Sequence, residues 1–79
     1  GTVLALERDR AVLQIGSVLR DGAEIVGLFN MIEPLLSPDC TLIVDDGSPA
    51  GETRNPALIA YLTPRVGQIV LEPCPSLLP

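Results

Sequence analysis

Two adjacent carboxylates, Asp45 and Asp46, are the residues with the clearest capacity for chemistry. They follow the apolar run 41–44 and precede the turn residues 47–49. A short apolar run bounded by turn residues is typical of a buried strand in an α/β sheet, where ligands bind at the carboxyl ends of the strands. Carboxylates at such an end accept hydrogen bonds from a ribose hydroxyl or a base N–H, or ligate a metal ion. The alternative is structural, because acidic residues also end strands and cap helices.

Three further polar residues are candidates for the same site. Arg20 and Asp21 follow an apolar run at 11–19, so they lie at the same sheet edge as the acidic pair if the two strands are parallel neighbours. Asp21 also fits a helix N-cap, and Arg20 fits a solvated partner of a nearby acid. Ser48 fits a cap better than a nucleophile, because the chain contains no histidine to activate it.

Absent motifs and the charge balance narrow the function classes. Without histidine, Ser-His-Asp and Cys-His catalysis is excluded within this chain. No Gly-x-Gly-x-x-Gly sequence follows a strand, and no Walker lysine exists because lysine is absent. A net charge of −5 argues against nucleic acid as a partner. No apolar run approaches the length of a membrane span.

The spacing of apolar residues predicts the elements that position these side chains. Strands are predicted at 11–19, 40–45 and 66–71. Helices are predicted from Gly22 to Leu36 and from Pro56 to Leu62. Ser48-Pro49 is an alternative start for the second helix. A weaker alternation at 2–7 predicts an extra N-terminal strand, which pairs with the strand 11–19 as a hairpin or belongs to a neighbouring element. This order predicts an α/β fold, a Rossmann-like βαβαβ half-unit with a small parallel sheet.

Length and composition predict a single unit. With 79 residues, of which 47% are hydrophobic, the chain is expected to form one α/β unit over residues 1–79 that is a fragment of a larger domain. The two cysteines, Cys40 and Cys74, are too few for a zinc site, and a disulfide between them has no support. Cys40 is expected to be a reduced structural thiol, and the absence of a signal-peptide pattern agrees with a cytoplasmic location.

The acidic turn carries a family resemblance. The run 42–49, Leu-Ile-Val-Asp-Asp-Gly-Ser-Pro, resembles the VDDGSPD signature of family-2-type inverting glycosyltransferases with the GT-A fold, a group that includes dolichol-phosphate mannose synthases. The similarity covers roughly residues 11–72, although the acidic turn is its one specific part. The resemblance implies that this part of the chain binds the nucleotide of a nucleotide-diphosphate sugar, and that the parent protein works at the cytoplasmic face of a membrane.

The resemblance also assigns roles to residues. Asp46 corresponds to the acid that contacts uracil or guanine, with Asp45 beside it, and Ser48 belongs to the same signature. Arg20 and Asp21 correspond to the family's Tyr-Asn turn, without its aromatic ring. The family's metal-binding Asp-x-Asp and its catalytic base lie beyond position 79. A divalent cation, Mg²⁺ or Mn²⁺, is therefore implied with ligands that are not in this chain, and no transfer is expected from this chain alone.

Two alternatives use the same residues differently. Asp45 and Asp46, followed by Gly51 and Thr53, have the spacing of the DDxxxxGxT loop of type I phosphoribosyltransferases. There the acids hold the ribose hydroxyls of phosphoribosyl diphosphate, and the loop backbone cradles its 5′-phosphate. The other alternative is a non-catalytic α/β interaction module whose acidic turn only caps a helix.

An exposed sheet edge also predicts self-association.

Overall fold

The protein is described here by a computed structural model that covers residues 2–14 and 22–73. It contains four strands, two helices and two single turns of 3₁₀-helix. In chain order they are β1 (Thr2–Leu6), β2 (Arg10–Gln14), α1 (Gly22–Ile32), a 3₁₀ turn (Glu33–Leu35), β3 (Thr41–Asp45), α2 (Pro56–Leu62), a 3₁₀ turn (Thr63–Arg65) and β4 (Gln68–Leu71).

The four strands form one sheet in the order β1-β2-β3-β4. β2 pairs with β3 and β3 with β4 in parallel, whereas β1 runs antiparallel to β2. The three strands predicted to form the parallel sheet are therefore parallel, and β1 makes the sheet as a whole mixed. β1 is antiparallel because the N–H of Glu7 donates to the carbonyl of Arg10 at 2.7 Å, which closes a tight turn and sends the chain straight back beside β1. The chain is a mixed α/β domain with a small sheet and two short helices.

The strand predictions are largely confirmed, with shorter boundaries. The N-terminal strand exists, and it pairs with β2 as the hairpin alternative proposed. β2 spans Arg10–Gln14, and the later part of the predicted strand 11–19 lies outside the described residues. β4 begins at Gln68 rather than at Val66. The Pro-rich end of the chain beyond Pro73 also lies outside the described part.

Proline determines where the helices begin and end. The predicted helix 22–36 is α-helical only to Ile32 and continues as a 3₁₀ turn, because Pro34 has no N–H to donate and its ring clashes with the preceding turn of an α-helix. The alternative helix start at Ser48-Pro49 is wrong, since the chain bends there without forming a helix. α2 begins at Pro56, as the other start predicted.

The main core cluster lies on one face of the sheet. Ala11 and Leu13 of β2, with Leu42 and Val44 of β3, point to that face. Val12 and Ile43 alternate with them on the opposite face, where they are also buried, at 1% and 7% exposure. Both helices pack on the face of the main core cluster, with Phe29 completely buried. The buried helical and loop residues that join this core are Phe29, Ile32, Cys40, Leu58, Leu62 and Val66. The domain therefore has its helices together on one side of the described sheet.

Cys40 lies where β4 approaches the start of β3. Its thiol is buried and free, as expected of a structural cysteine, while Cys74 lies outside the described residues. The carbonyl of Cys40 accepts the N–H of Gly67 at 2.9 Å. A Cβ atom at Gly67 would lie 2.5 Å from the backbone of Asp39, so only glycine allows this close approach.

Candidate functional site

The acidic pair lies at the carboxyl end of the central parallel strand. Asp45 is the last residue of β3 and Asp46 begins the loop that leads to α2. The two residues are only 8% and 7% exposed, and Ser48 is 7% exposed. Buried carboxylates need hydrogen-bond donors, because burial without partners disfavours the charged form. The site is therefore defined by the groups that satisfy these two side chains.

Asp46 organises the loop that follows it. Its Oδ1 accepts the backbone N–H of Ser48 at 2.9 Å. Its Oδ2 accepts the hydroxyl of Thr53 at 2.7 Å and the backbone N–H of Arg54 at 2.9 Å. The Thr53 oxygen in turn accepts the N–H of Asn55 at 2.9 Å, directly before α2. One carboxylate therefore connects the end of β3 to the start of α2.

These hydrogen bonds keep Asp46 ionised. Burial raises its pKa, but the hydroxyls of Thr53 and Ser48, with the N–H groups of Arg54 and Ser48, outweigh burial and lower the pKa to about 2. Charge-assisted hydrogen bonds of this kind are stronger than bonds between neutral groups. Asp46 therefore carries a full negative charge at neutral pH.

Asp45 is held by a different set of donors. The N–H of Gly47 donates to its Oδ1 at 3.0 Å, which makes a local turn, and the Gln14 side-chain amide donates to its Oδ2 at 3.3 Å. Gln14 is the residue of β2 that pairs in register with Asp45. The sequence did not single out Gln14 as a site residue. The only feature that could have indicated it is that its amide follows directly on the apolar run 11–13.

Two glycines shape the loop, and a backbone contact anchors it. Gly47 has a φ of 83° and Gly51 a φ of 80°, a left-handed conformation that other residues rarely adopt. The N–H of Gly51 donates to the carbonyl of Leu71, the last residue of β4, at 2.7 Å. The loop therefore runs across the carboxyl ends of β3 and β4. Thr53, which sequence reasoning used only for its motif spacing, is its main side-chain brace.

The structure brings together three of the five predicted site residues. Asp45, Asp46 and Ser48 share the loop after β3. Ser48 is not a helix cap, because no helix begins at it, and its backbone N–H serves Asp46 instead. Arg20 and Asp21 lie outside the described residues.

A groove opens beside this loop. It has a volume of about 420 Å³ and lies between Val26 of α1, the residues 54–58 and Tyr61 of α2. The walls are mainly apolar, and the lining residues with polar side chains are Arg54, Asn55 and Tyr61. The two helices are joined nearby by a 3.3 Å hydrogen bond from the Tyr61 hydroxyl to Asn30. A volume of this size is in the range of small-molecule sites.

The described residues do not form a metal centre or a membrane-spanning element. Over 2–14 and 22–73, no three His, Cys, Asp or Glu side chains are placed to share a metal ion. In the same ranges, neither helix has the length and apolar character needed to cross a membrane.

The fold and the site together define this protein as a small mixed α/β domain with an ordered acidic loop at the carboxyl end of its parallel strands. No family model matches this sequence, and no curated protein or solved structure is significantly similar to it.

Proposed function

We propose that this chain is the nucleotide-binding portion of a glycosyltransferase that uses a nucleotide-diphosphate sugar. In this proposal β2, α1, β3, α2 and β4 form a Rossmann-like, GT-A-like half-unit to which β1 adds an antiparallel strand. Asp45 and Asp46 bind the base and ribose of the donor, beside Ser48. The protein transfers a hexosyl group to an unknown acceptor, and the acceptor site and the catalytic base belong to other parts of the protein.

One observation carries the proposal: the acidic pair stands at the carboxyl end of the central parallel strand, next to a groove large enough for part of a nucleotide. In open α/β sheets this edge is where ligands bind. The loop is already ordered by Asp46, Thr53 and the anchor from Gly51 to Leu71. A preformed acceptor site loses little conformational entropy when a ligand binds.

The described residues do not fit a divalent cation. No three potential ligands among them are close enough to share a metal ion. The carboxylates of Asp45 and Asp46 accept hydrogen bonds from donors of the protein itself. In the proposal, the Mg²⁺ or Mn²⁺ that the family uses has its ligands outside these residues. Recognition by this chain then depends on its carboxylates and on the groove.

The phosphoribosyltransferase alternative meets a specific obstacle. Its loop would cradle a phosphate with backbone N–H groups. In this loop most of those groups already donate within the protein. The residues whose N–H groups are used are Gly47, Ser48, Gly51, Glu52, Arg54 and Asn55. Few donors are left for a 5′-phosphate, which weighs against this alternative.

The interaction-module alternative is favoured by how fully the carboxylates are satisfied. Both oxygens of Asp46 accept hydrogen bonds from the loop, and both oxygens of Asp45 accept bonds from Gly47 and Gln14. An acidic pair that only braces a loop would have the same pattern. Ligand binding therefore has to be measured directly.

The experiment is calorimetric titration of the 79-residue chain with UDP, GDP and phosphoribosyl diphosphate. We expect UDP or GDP to bind, and Asp45→Asn to weaken that binding at least tenfold, because it removes the charge that accepts the ligand's hydrogen bonds. Asp39→Asn is the matched control, since Asp39 precedes β3 at the opposite end of the strand. Thermal unfolding of each variant separates lost binding from lost folding.

Each outcome of the titration decides between the candidate functions. Binding of phosphoribosyl diphosphate without UDP or GDP would support the phosphoribosyltransferase alternative and overturn the proposal. If the folded chain binds none of the three ligands, the proposal is wrong and the interaction module is favoured. If Asp39→Asn and Asp45→Asn weaken binding equally, the acidic loop does not form the binding site.

A further inference from the structure

Charge placement singles out Arg54. The structure describes four of the five arginines. Arg8 lies in the turn before β2 and Arg10 begins β2, so both are at the amino ends of the parallel strands. Arg65 follows α2 and precedes β4, at the same end. Among the described residues, Arg54 is therefore the one cation at the edge that carries the acidic pair.

The guanidinium of Arg54 is also uncommitted. Arg65 is engaged locally, with its guanidinium 3.7 Å from the centre of the Tyr61 ring. Arg54, by contrast, is exposed, and its side chain has no hydrogen-bond or ion-pair partner among the described residues. Its backbone N–H is bonded to Asp46, which fixes the position of its Cα beside the acidic loop. Arg54 is one of the residues that line the groove of about 420 Å³.

We propose that Arg54 binds the diphosphate of the nucleotide-diphosphate ligand at the mouth of this groove; this inference rests on the proposed function. A ligand with two phosphates brings negative charge to an edge where Asp46 is already ionised, so it needs a compensating cation. A guanidinium suits this role, because its planar set of N–H donors matches phosphate oxygens. The positive charge that faces the phosphates is that of the Arg54 guanidinium. The amino end of α2 is not invoked as a source of positive charge, because this helix is only seven residues long.

The placement divides the ligand between two parts of the site. The acidic loop accepts hydrogen bonds from hydroxyl and N–H groups of the nucleoside, and Arg54 holds the phosphates next to it. The apolar wall formed by Val26, Pro56 and Leu58 then borders the groove beyond the phosphates. A nucleoside without phosphates would use the acidic loop and leave Arg54 unoccupied.

The test compares Arg54→Gln with Arg10→Gln in titrations of uridine, guanosine, UDP and GDP into the 79-residue chain. Both variants lose one positive charge, but Arg10 lies at the opposite end of the sheet. Arg54→Gln retains the backbone N–H that braces Asp46, so the loop is expected to stay folded. We expect it to weaken diphosphate binding about tenfold or more, to leave nucleoside binding unchanged, and to flatten the salt dependence of diphosphate binding. Arg10→Gln should bind all four ligands like the unmodified chain.

The outcomes separate this inference from the proposed function. If the unmodified chain binds UDP or GDP and Arg54→Gln binds it equally well, the role of Arg54 is wrong while the proposed function stands. If Arg54→Gln and Arg10→Gln weaken binding equally, the effect is one of net charge and the inference also fails. If the folded, unmodified chain binds neither diphosphate, the proposed function fails and this inference fails with it.

Discussion

The hydroxyl of Thr53 donates a 2.7 Å hydrogen bond to Oδ2 of Asp46, seven residues earlier in the chain. This bond closes the loop between β3 and α2, and the N–H of Arg54 donates to the same oxygen at 2.9 Å. The loop therefore folds around a charged side chain instead of an apolar core. Its geometry depends on Asp46 being ionised and on a hydroxyl at position 53.

Replacing that hydroxyl should destabilise the domain. Thr53→Val keeps the shape of the side chain but removes a hydrogen bond to a charged group, which is worth about 1.5–3 kcal/mol. We expect the free energy of unfolding in urea to fall by about 2 kcal/mol. Thr53→Ser retains the hydroxyl and should lose less than about 1 kcal/mol. Equal stability of Thr53→Val and the unmodified chain would mean that the Asp46 brace contributes nothing.

Stability should fall at low pH because of Asp46. Its folded-state pKa of about 2 lies below the ordinary value of 3.8, so its contribution is fully present above about pH 4 and is lost as the pH falls towards 2. The shift corresponds to about 2 kcal/mol. The pKa of Asp39 is also lowered, chiefly by the Ser37 hydroxyl, so the pH dependence should be compared between the unmodified chain and Asp46→Asn. Identical curves for these two proteins between pH 4 and pH 2 would contradict the assignment.

The same substitution at two glycines should have opposite effects. Gly67→Ala places a Cβ 2.5 Å from the backbone of Asp39, so we expect it to lose about 1–3 kcal/mol of stability as the chain shifts. Gly27→Ala lies in α1 with no atom within 4 Å of the new Cβ, and it should gain about 0.5–1 kcal/mol from helix propensity. Thermal and urea unfolding of both variants provide the measurement. A stabilising Gly67→Ala would show that Gly67 does not approach the backbone of Asp39 this closely.

We expect self-association through β1, the edge strand. Among residues 2–14 and 22–73, one side of its backbone pairs with no strand, no residue of Thr2–Leu6 is charged, and Leu4 and Leu6 are 36% and 41% exposed. Such an edge pairs readily with a second copy, and lysine is the usual protection. Sedimentation velocity should show concentration-dependent dimers that Leu6→Lys abolishes, while Gln68→Lys on the other edge strand leaves them unchanged. A monomer over the whole concentration range would contradict this prediction.

Local signals predicted the acidic loop well. Asp45 and Asp46 were placed at the end of a buried strand from the apolar run before them and the turn residues after them, and the structure confirms that position. The start of α2 at Pro56 is confirmed for a similar reason, since proline suits the first helical position. These features depend on a few consecutive residues.

Longer-range relationships were not predictable in the same way. Gln14 contacts Asp45 only because β2 and β3 pair in one particular register, which sequence periodicity does not specify. For β1 the sequence left two alternatives open, a hairpin with β2 or a place in a neighbouring element, and the short turn that begins at Glu7 decides for the hairpin. Ser48-Pro49 has a plausible helix start, but the backbone of Gly51 has a φ of 80°, outside the range of a right-handed helix, and no helix begins there.

The contact between Gly51 and Leu71 has a consequence for the speed of recognition. The loop is fastened at its middle to β4 and at its end to Asp46, so it has no free arm that could fold down over a bound molecule. A ligand should therefore associate in one step, with an observed rate that rises linearly with ligand concentration and no slower closing phase. Stopped-flow traces should therefore show a single exponential phase, because the loop has the same conformation before and after the ligand binds.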